Sequence, residues 1–464
     1  MIYNCNLCDS SHSQKNELIN HIKSKKHLIH FNTEQQELTL SLIDYLSNDE
    51  KKPFLINSAG GTGKTFTVSN LLKYYKNVVA LGPTHQSVNV LREEFKESKT
   101  IHSFFGWSDS VDEEGNDVNI WGEPSKIPKN SIFVFDEISM MNDDMFSLYN
   151  CYIKRKYKII LMGDKAQLPP INKGKTSLPK KCEKIISKTR FSLFFKEKAI
   201  IKNLKKNMRS SNESLNNYLN IIREETLKGN DFILNDNKEL NEKFIKKIGL
   251  TDFIVLCYNN DDVDYFNKKI KQILNPENYN DEIVMGQKCI INKYYNKDLH
   301  TGFRFTIGSF QIQKMKLEPI LVENNENKRK KISSIEVRFY NIITTCNLQL
   351  QKVLDEDISK FKQFYTDNKK YISCLKIKNK TPQELSVIKI KYQKMLKNLV
   401  RFHCNYKLNY ATTVHKAQGK GFQNVIVYNK FNIFNSNPNT TKYTACSRSK
   451  KNIYISKNNG INRI

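Results

Sequence analysis

Two features of secreted and membrane proteins are missing from this sequence of 464 residues. It contains no run of about 18 uninterrupted apolar residues, the length needed to span a bilayer, and its N-terminus lacks a basic stretch followed by an apolar one. Closely spaced cysteines are also scarce, because apart from Cys5 and Cys8 they are scattered singly from Cys151 to Cys446. That scatter is typical of a reducing compartment. We therefore expect an intracellular protein of the nucleus or cytoplasm, of a host cell if the source is viral, without membrane contact.

Negative charge is in short supply, since 47 Asp and Glu stand against 75 Lys and Arg, a net charge of +28. Such an excess is typical of chains that bind a polyanion, most often nucleic acid. A composition rich in Lys, Asn and Ile also reflects AT-rich genomes, so charge alone leaves both explanations open. Internal repeats and low-complexity linkers are absent, and the length predicts two to four domains.

The first 30 residues carry four metal-binding side chains at the spacing Cys5-x2-Cys8-x12-His21-x5-His27. Two cysteines and two histidines at such intervals let a β-hairpin and a helix converge on tetrahedral Zn²⁺. The stretch resembles a two-Cys, two-His zinc finger, and it is similar to the matrin-like subgroup associated with double-stranded nucleic acid. We expect Zn²⁺ to bind here, with either duplex nucleic acid or a protein as the ligand of the finger.

A glycine-rich loop lies between an apolar run, PFLIN at 53–57, and a segment of helical periodicity that extends to Tyr75. Its glycines let backbone N–H groups curl around phosphate oxygens, while Lys64 neutralises charge and Thr65 offers a hydroxyl to Mg²⁺. Ser58 stands where the usual pattern has glycine. The predicted ATP contacts of this loop are Ser58, Ala59, Gly60, Gly61, Thr62, Gly63, Lys64 and Thr65.

Polar side chains follow two further apolar runs. SIFVF at 131–135 ends in Asp136 and Glu137, and KIILM at 158–162 leads to Gln167. The carboxyl edge of a parallel sheet is where ligands bind. There Asp136 is suited to hold Mg²⁺, Glu137 to orient and deprotonate the attacking water, and Gln167 to sense the γ-phosphate. The sequence therefore predicts an ATP-hydrolysing site.

Seven ordered segments resemble the motifs of superfamily 1 helicases of the Pif, RecD and Dda type. They are FNTEQQ at 31–36, GPTH at 82–85, TIHS at 100–103, DEISM at 136–140, LKKNMR at 204–209, TTVHKAQG at 412–419 and YTACSR at 443–448. In the first of them Thr33 and Gln36 also form a capping box that predicts a helix start. The resemblance implies an α/β fold with two RecA-like motor domains, whose parallel sheets are flanked by helices.

The same resemblance assigns further residues. It implies ATP contacts for Gln35 and Gly419 and makes Arg209 and Arg448 arginine fingers, which stabilise charge on the transferred phosphoryl group. For Phe104 and Phe105, core burial is favoured over contact with bases. The nucleic-acid contacts that the resemblance implies are Pro83, Thr84, His85, His102, Ser103, Thr413 and His415.

The predicted organisation follows these motifs. An acidic, turn-rich insertion within the first motor domain is either a surface loop or, by its position, similar to the strand-separating pin of the family. The region inserted into the second motor domain is expected to hold a small β-barrel and a basic helical part that either clamps DNA or is a lysine-decorated helical hairpin. The predicted bounds are 1–30 for the zinc finger, 31–205 for the first motor domain with its pin-like insertion at 106–130, 206–285 and 409–464 for the second motor domain, and 286–408 for the inserted region.

The predicted function is that of an ATP- and Mg²⁺-dependent DNA helicase that acts on single-stranded and forked DNA in replication, repair or recombination. The 5′ to 3′ polarity is implied by the family alone. An RNA helicase or a motor that displaces proteins is the alternative. An adaptor with a degenerate ATPase is disfavoured, because Lys64, Asp136, Glu137 and Arg448 are intact. The sequence does not indicate an oligomeric state.

Overall fold

A computed structural model describes most of the chain. It divides into two compact units, of which the first comprises Met1–Asn241, Leu250–Asn260 and Thr412–Ile464, and the second Glu242–Gly249 and Asp261–Ala411. Within the described residues, no helix is both long and apolar enough to cross a membrane. The described residues are 3–5, 10–12, 20–21, 30–95, 97–111, 117–124, 127–154, 156–170, 176–179, 182, 199–208, 210–234, 240–249, 251–292, 303–320, 332–373, 380–399, 403–430 and 438–456.

Strands alternate with helices along much of the chain. The described strands are β1 (Tyr3–Cys5), β2 (Ser10–His12), β3 (Phe54–Ser58), β4 (Val78–Gly82), β5 (Ser98–Thr100), β6 (Ser108–Val111), β7 (Asp117–Ile120), β8 (Ile132–Phe135), β9 (Lys158–Gly163), β10 (Thr176–Ser177), β11 (Ile200–Leu204), β12 (Phe253–Cys257), β13 (Lys288–Ile291), β14 (Arg304–Leu317), β15 (Ile335–Thr344), β16 (Gln349–Val353), β17 (Tyr406–Leu408), β18 (Ala411–Thr413), β19 (Phe422–Tyr428) and β20 (Ser449–Ser456).

The helices lie between these strands, and short 3-10 turns cover Ile138–Met140 and Asp355–Asp357. The described α-helices are α1 (Thr33–Ser47), α2 (Lys64–Leu72), α3 (His85–Glu94), α4 (Ile101–Phe104), α5 (Asp143–Tyr152), α6 (Glu213–Lys228), α7 (Glu242–Gly249), α8 (Asn260–Leu274), α9 (Ile358–Ser373), α10 (Pro382–Leu399), α11 (Val414–Ala417) and α12 (Pro438–Cys446).

The first sheet has six parallel strands in the order β11-β3-β9-β8-β4-β5. Its four central strands, β3, β9, β8 and β4, are mainly apolar because both faces are covered. Along β3, Phe54 and Ile56 enter one buried cluster with α1 and α2, whereas Leu55 enters the opposite cluster with α5. The strands predicted from the runs at 53–57, 131–135 and 158–162 are confirmed to within one residue at each end.

The second sheet is smaller, with the order β18-β12-β19-β20 and parallel pairing of β12 with β19 and of β19 with β20. Its core receives Leu215 and Leu219 from α6. It also receives Ala166 and Leu168, which belong to the loop that follows β9 of the first sheet. The expected α/β architecture with parallel sheets is confirmed, and this loop joins the cores of the two sheets.

Two hairpins accompany the sheets of the first unit. At the N-terminus β1 pairs antiparallel with β2, and Cys5 lies opposite Ser10. Within the insertion at 106–130, β6 pairs antiparallel with β7, and β10 adds to β7 in parallel. At the base of this second hairpin Gly122 N donates to Phe105 O at 2.8 Å. The insertion therefore contains a β-hairpin anchored next to α4.

The second unit contains an antiparallel sheet in the order β16-β15-β14-β13-β17. Its strands β14 and β15 form a long hairpin, paired from Ile307 with Thr344 to Leu317 with Ile335. Cys404 N donates to Gln351 O at 2.6 Å, so the two end strands approach each other at this point. Helices α9 and α10 supply the expected helical part. Closure of the sheet into a β-barrel stays a prediction.

Candidate functional site

The glycine-rich loop joins β3 to α2 with a geometry that exposes backbone N–H groups. Gly61 and Gly63 have φ of 88° and 81°, a left-handed conformation that glycine adopts without strain. A Cβ on Gly63 would also collide with the amide of Gln35. Gly63 caps α2 without any side-chain hydrogen bond from the described residues. The first N–H groups of α2 are thus left for an anion, the arrangement that binds phosphate.

Gln35 contacts this loop while it caps its own helix. Asn32 is the N-cap of α1 and accepts from Gln35 N at 3.0 Å, and Asn32 N donates to Gln35 Oε1 at 3.2 Å. Gln35 Nε2 then donates to Thr62 O at 3.2 Å. The predicted capping box of Thr33 and Gln36 is therefore wrong by one residue, because the extended residue before the helix is Asn32.

The two predicted carboxylates lie beside the loop, at the carboxyl end of β8. Thr65 Oγ1 donates to Asp136 Oδ2 at 3.5 Å, and Lys64 Nζ lies 4.0 Å from Glu137 Oε1. Glu137 N donates to Asp136 Oδ1 at 2.9 Å. Lys64, Asp136 and Glu137 are all buried. The structure thus brings together residues that are 71 positions apart, as Thr65 and Asp136 are.

Glu137 has a strained backbone. Its φ of 50° and ψ of 43° are left-handed, and among the described residues the other non-glycine positions with positive φ are all asparagines, Asn77, Asn130 and Asn347. Asparagine tolerates this conformation, whereas glutamate rarely adopts it. Strain of this kind concentrates at functional sites, where it fixes the direction of a side chain.

Burial dominates the electrostatics of Asp136. It raises the pKa of this carboxyl to about 6; the positive charge of Lys64 opposes that rise, and the negative charge of Glu137 adds to it. A divalent cation favours the charged form of such a carboxylate. One hydroxyl and one carboxylate oxygen at this spacing are the oxygen ligands that Mg²⁺ takes. Thr65 and Asp136 therefore fit a magnesium ion.

Three polar atoms of this site are buried and accept or donate no hydrogen bond within the described part of the chain. They are Ser58 Oγ, Glu137 Oε2 and Gln167 Oε1. Most buried polar atoms in proteins are hydrogen-bonded. Their position at the ends of β3, β8 and β9 favours a polar ligand, such as a phosphate group, a hydrated cation or the attacking water.

Gln167 was predicted from the sequence, but the hydrogen bonds of the loop to which it belongs were not. Its Nε2 lies 3.5 Å from Asp164 Oδ2, and Asp164 is bonded to Arg223 and Tyr443. Asp164 and Tyr443 lie within recognised segments but were not singled out. Arg223 was missed altogether, since an arginine in the middle of α6 gives no local signal.

The two predicted arginine fingers differ in what the structure describes. Arg448 is buried, with Nε 3.1 Å from Thr444 O and Nη2 2.8 Å from Ser447 Oγ. Its described hydrogen bonds are all to residues on the side of the second sheet. Beside them Gly419 has a left-handed φ of 72°. Arg209 lies outside the described residues, but the preceding Met208 N donates to Gly61 O of the phosphate-binding loop at 2.7 Å.

The residues predicted to contact nucleic acid follow strands β4, β5 and β18. In each case a threonine caps the next helix: Thr84 accepts from Ser87 N at 3.1 Å, Thr100 from Ser103 N at 3.0 Å and Thr413 from Lys416 N at 3.4 Å. The remaining predicted contacts are placed next to these caps, namely Pro83, His85, His102, Ser103 and His415.

The histidines and phenylalanines of these segments have different surroundings. His102 stacks on Trp121, with ring centroids 5.0 Å apart and an interplanar angle of 18°, and meets the edge of Trp107. Burial lowers the pKa of His415, which favours its neutral form. Phe104 and Phe105 are buried in the core of the first sheet, so the core interpretation of these two is confirmed.

The predicted zinc ligands are described only in part. Cys5 ends strand β1, and His21 is described, whereas Cys8 and His27 lie outside the described residues. In the described part of the chain no three candidate ligands gather around one point. Zinc binding therefore stays a prediction, with the β1–β2 hairpin as its structural support.

Two family models match this chain. One, described as an AAA domain, matches residues 30–220, and the other, described as a viral superfamily 1 RNA helicase core domain, matches residues 319–457. The first match contains the phosphate-binding loop, Asp136, Glu137 and Gln167. The second contains the residues that follow β18 and the helix α12.

Individual proteins are similar to this chain over nearly its whole length. An uncharacterized protein of Acanthamoeba polyphaga mimivirus is 22% identical, with 91% of this chain and 99% of that protein covered. The RecD subunit of the RecBCD enzyme from Buchnera aphidicola is 25% identical, with 91% and 68% covered. A solved structure of Pif1 helicases at forked double-stranded DNA has a TM-score of 0.49 at 16% identity, with 92% of each chain covered. The two family models, these relatives and the ordered motifs make the chain similar to superfamily 1 helicases of the Pif1, RecD and Dda type.

Proposed function

We propose that this chain moves along single-stranded DNA with 5′ to 3′ polarity and separates the strands of forked duplexes in replication, repair or recombination. It is an ATP-dependent DNA helicase. The observation that supports the proposal best is the pairing of Lys64 with Glu137 and of Thr65 with Asp136 at one sheet edge. Polarity and process rest on the family resemblance.

Hydrolysis is divided among residues of both sheets. Thr65 and Asp136 would hold Mg²⁺, which would neutralise charge on the phosphate oxygens. Glu137 orients the attacking water and accepts its proton, helped by its fixed backbone. Lys64 and the N–H groups of α2 bind the phosphates, and Gln167 and Arg448 act on the γ-phosphate, with Arg209 as a second cation.

The single strand is held at the three threonine-capped helix starts that follow β4, β5 and β18. The three threonine hydroxyls accept hydrogen bonds from their own helices, so their role is to fix the backbone there. Phosphates then meet neighbouring N–H groups and His85 or Ser103, and His102 presents an aromatic face.

The β6–β7 hairpin acts as the strand-separating pin. It is anchored by His102, Trp107 and Trp121, whose rings lie 4.4 to 5.0 Å apart. His102 is itself a proposed contact of the single strand. A pin fixed to the residue that touches the strand stays at the point where the strand enters the motor, and separation of a duplex requires the strand to move past such a fixed point.

The N-terminal hairpin belongs to a zinc finger, whose ligand is either duplex nucleic acid or a protein. The antiparallel pairing of β1 and β2 supports it, because two-Cys, two-His fingers bring their cysteines together in such a hairpin. Cys5, Cys8, His21 and His27 are its ligands. Zinc content of the purified chain, measured by atomic emission, should be close to one ion per chain and fall in Cys8→Ser.

Unwinding of forked substrates tests the central proposal. Duplexes that carry only a 5′ tail or only a 3′ tail, in DNA and in RNA versions, are incubated with ATP and Mg²⁺ and resolved on native gels. We expect separation of the 5′-tailed DNA. Preference for the 3′ tail would overturn the polarity, preference for RNA would replace the substrate, and failure on all substrates would refute the helicase assignment.

A further inference from the structure

A buried carboxylate next to the ATP site accepts its shortest hydrogen bonds from partners that the hydrolytic chemistry does not use. Asp164, in the loop after β9, accepts from Arg223 Nε at 3.0 Å on Oδ1 and from Tyr443 OH at 2.6 Å on Oδ2. Ala166 N donates to Oδ1 at 3.1 Å. The exposed fractions of Asp164, Arg223 and Tyr443 are 1%, 8% and 1%, so water does not weaken these bonds.

The three side chains come from three separate elements. Asp164 follows the first sheet, Arg223 lies on α6, and Tyr443 lies on α12, which packs in the core of the second sheet. Two more bonds run in parallel, since Leu168 N donates to Thr444 Oγ1 at 3.0 Å and Gln418 Nε2 donates to Leu168 O at 2.9 Å. The loop at 164–168 is therefore bonded at both of its ends to residues outside the first sheet, most of them on the helices α6 and α12 that pack on the second sheet.

We call the bonds of Asp164 with Arg223 and Tyr443, together with those of Leu168 with Thr444 and Gln418, the tie. A candidate catalytic residue lies at each end of it. Gln167 lies three residues after Asp164 in the loop, and its Nε2 lies 3.5 Å from Asp164 Oδ2. Arg448 lies just past α12, and its Nε donates to Thr444 O at 3.1 Å. Thr444 thus holds the loop with its hydroxyl and Arg448 with its carbonyl.

The bonds of Asp164 with Arg223 and Tyr443 are also costly to break. A charged pair in the interior is strongly favoured to stay paired, because either partner left alone would be a buried charge without compensation. Burial, reinforced by the charge of Asp164, raises the pKa of Tyr443 well above its ordinary value. The hydroxyl therefore remains protonated and continues to donate.

We propose that Asp164, Arg223 and Tyr443 are positioning residues that hold Gln167 and Arg448 in one fixed geometry for their action on the γ-phosphate. The inference rests on the proposed function, since it assigns a role in ATP hydrolysis. Arg223 Nη2 also donates to Asn57 Oδ1 at 3.4 Å, one residue before the P-loop, but no described hydrogen bond joins these three side chains to residues 58–65, which bind ATP. Loosening the tie should therefore lower kcat for ATP hydrolysis and leave KM for ATP nearly unchanged.

The substitution Tyr443→Phe in the full-length chain tests this role, because it keeps the ring and removes one hydrogen bond to Asp164. We expect kcat for hydrolysis stimulated by single-stranded DNA to fall about tenfold, with KM for ATP within about twofold. The matched control is Tyr45→Phe, which removes another buried hydroxyl of the first unit, bonded to Ile159 O at 3.1 Å. The control should keep the original kcat.

A second pair of variants covers the case in which Tyr443→Phe fails to fold. Thr444→Val removes the acceptor of Leu168 N at nearly constant volume, and Thr444→Ser restores it. The valine variant should lower kcat and the serine variant should recover it. An unchanged kcat in Tyr443→Phe or in Thr444→Val, with an active parent chain, refutes the positioning role alone. A parent chain without DNA-stimulated hydrolysis refutes the proposed function and this inference together.

Discussion

Glu137 and Asp164 are both buried carboxylates in loops that follow strands of the first sheet, yet their hydrogen bonding is opposite. Glu137 Oε2 has no hydrogen-bond partner in the described part of the chain, whereas both oxygens of Asp164 are bonded to charged or hydroxyl donors. A buried polar group without a partner costs stability, so it persists where a ligand completes it. The comparison separates catalytic groups, such as Glu137, from groups that position catalytic residues, such as Asp164.

The largest effect is expected where the unsatisfied carboxylate is neutralised. Glu137→Gln keeps the size of the side chain and removes the base, so hydrolysis should fall by on the order of 10³-fold. ATP affinity, which depends on the loop and Lys64, should remain. Phosphate release and equilibrium binding of a fluorescent ATP analogue measure the two quantities.

An exposed site provides the control for that substitution. Glu97→Gln makes the same chemical change on the surface of the first unit and should leave phosphate release unaltered. Normal strand separation by Glu137→Gln would contradict the role of this residue and would remove the catalytic half of the comparison.

The next effect concerns stability rather than turnover. Asp164→Ala leaves the guanidinium of Arg223 buried and unpaired, which should lower the free energy of unfolding by about 3 to 5 kcal/mol. The double variant Asp164→Ala with Arg223→Met removes the orphaned charge and should recover part of that loss. Urea denaturation followed by circular dichroism measures both.

A surface ion pair gives the matched control here. Glu242 and Lys246 lie 2.6 Å apart on α7 with side chains 59% and 54% exposed, and Glu242→Ala should change the free energy of unfolding very little, because water screens an exposed ion pair. Equal losses for Asp164→Ala and Glu242→Ala would show that the buried bonds of Asp164 contribute nothing special.

Gln167 tests the comparison of Glu137 with Asp164 further, because its amide has one hydrogen-bonded atom and one atom without a described partner. Its Nε2 lies 3.5 Å from Asp164, and its Oε1 has no partner within the described residues. Gln167→Ala should reduce kcat by roughly 10- to 100-fold while the thermal unfolding midpoint changes little. A large drop in that midpoint with normal kcat would place Gln167 among the supporting residues instead.

The two kinds of group also differ in how well the sequence predicts them. Lys64, Asp136 and Glu137 follow from local pattern, because an apolar run of four or five residues predicts a covered parallel strand and the carboxyl end of such a strand carries the site. Arg223 does not follow, since its partner Asp164 lies 59 positions earlier and helix α6 reads as an ordinary amphipathic segment. The capping box failed by one residue for a similar reason, because Asn32 and Thr33 are both good caps and tertiary contact with Thr62 decides between them.

The smallest effect is expected at a satisfied group with no catalytic neighbour. Tyr45 bridges α1 and β9, because its hydroxyl donates to Ile159 O at 3.1 Å and accepts from Ile159 N at 2.9 Å. Tyr45→Phe should lower the free energy of unfolding by about 1 kcal/mol and leave kcat unchanged.

Titration gives this last prediction a second measurement. Burial raises the pKa of Tyr45 to about 12, above its value of 10.0 in an exposed side chain. The hydroxyl's contribution is therefore fully present below about pH 10, and it is lost as pH rises through the folded pKa. The difference in stability between the parent chain and Tyr45→Phe should be constant from about pH 6 to 9 and narrow above pH 10. A difference that changes within the neutral range would mean that another titrating group depends on this hydroxyl, and Tyr45 would then no longer serve as an inert reference for Tyr443.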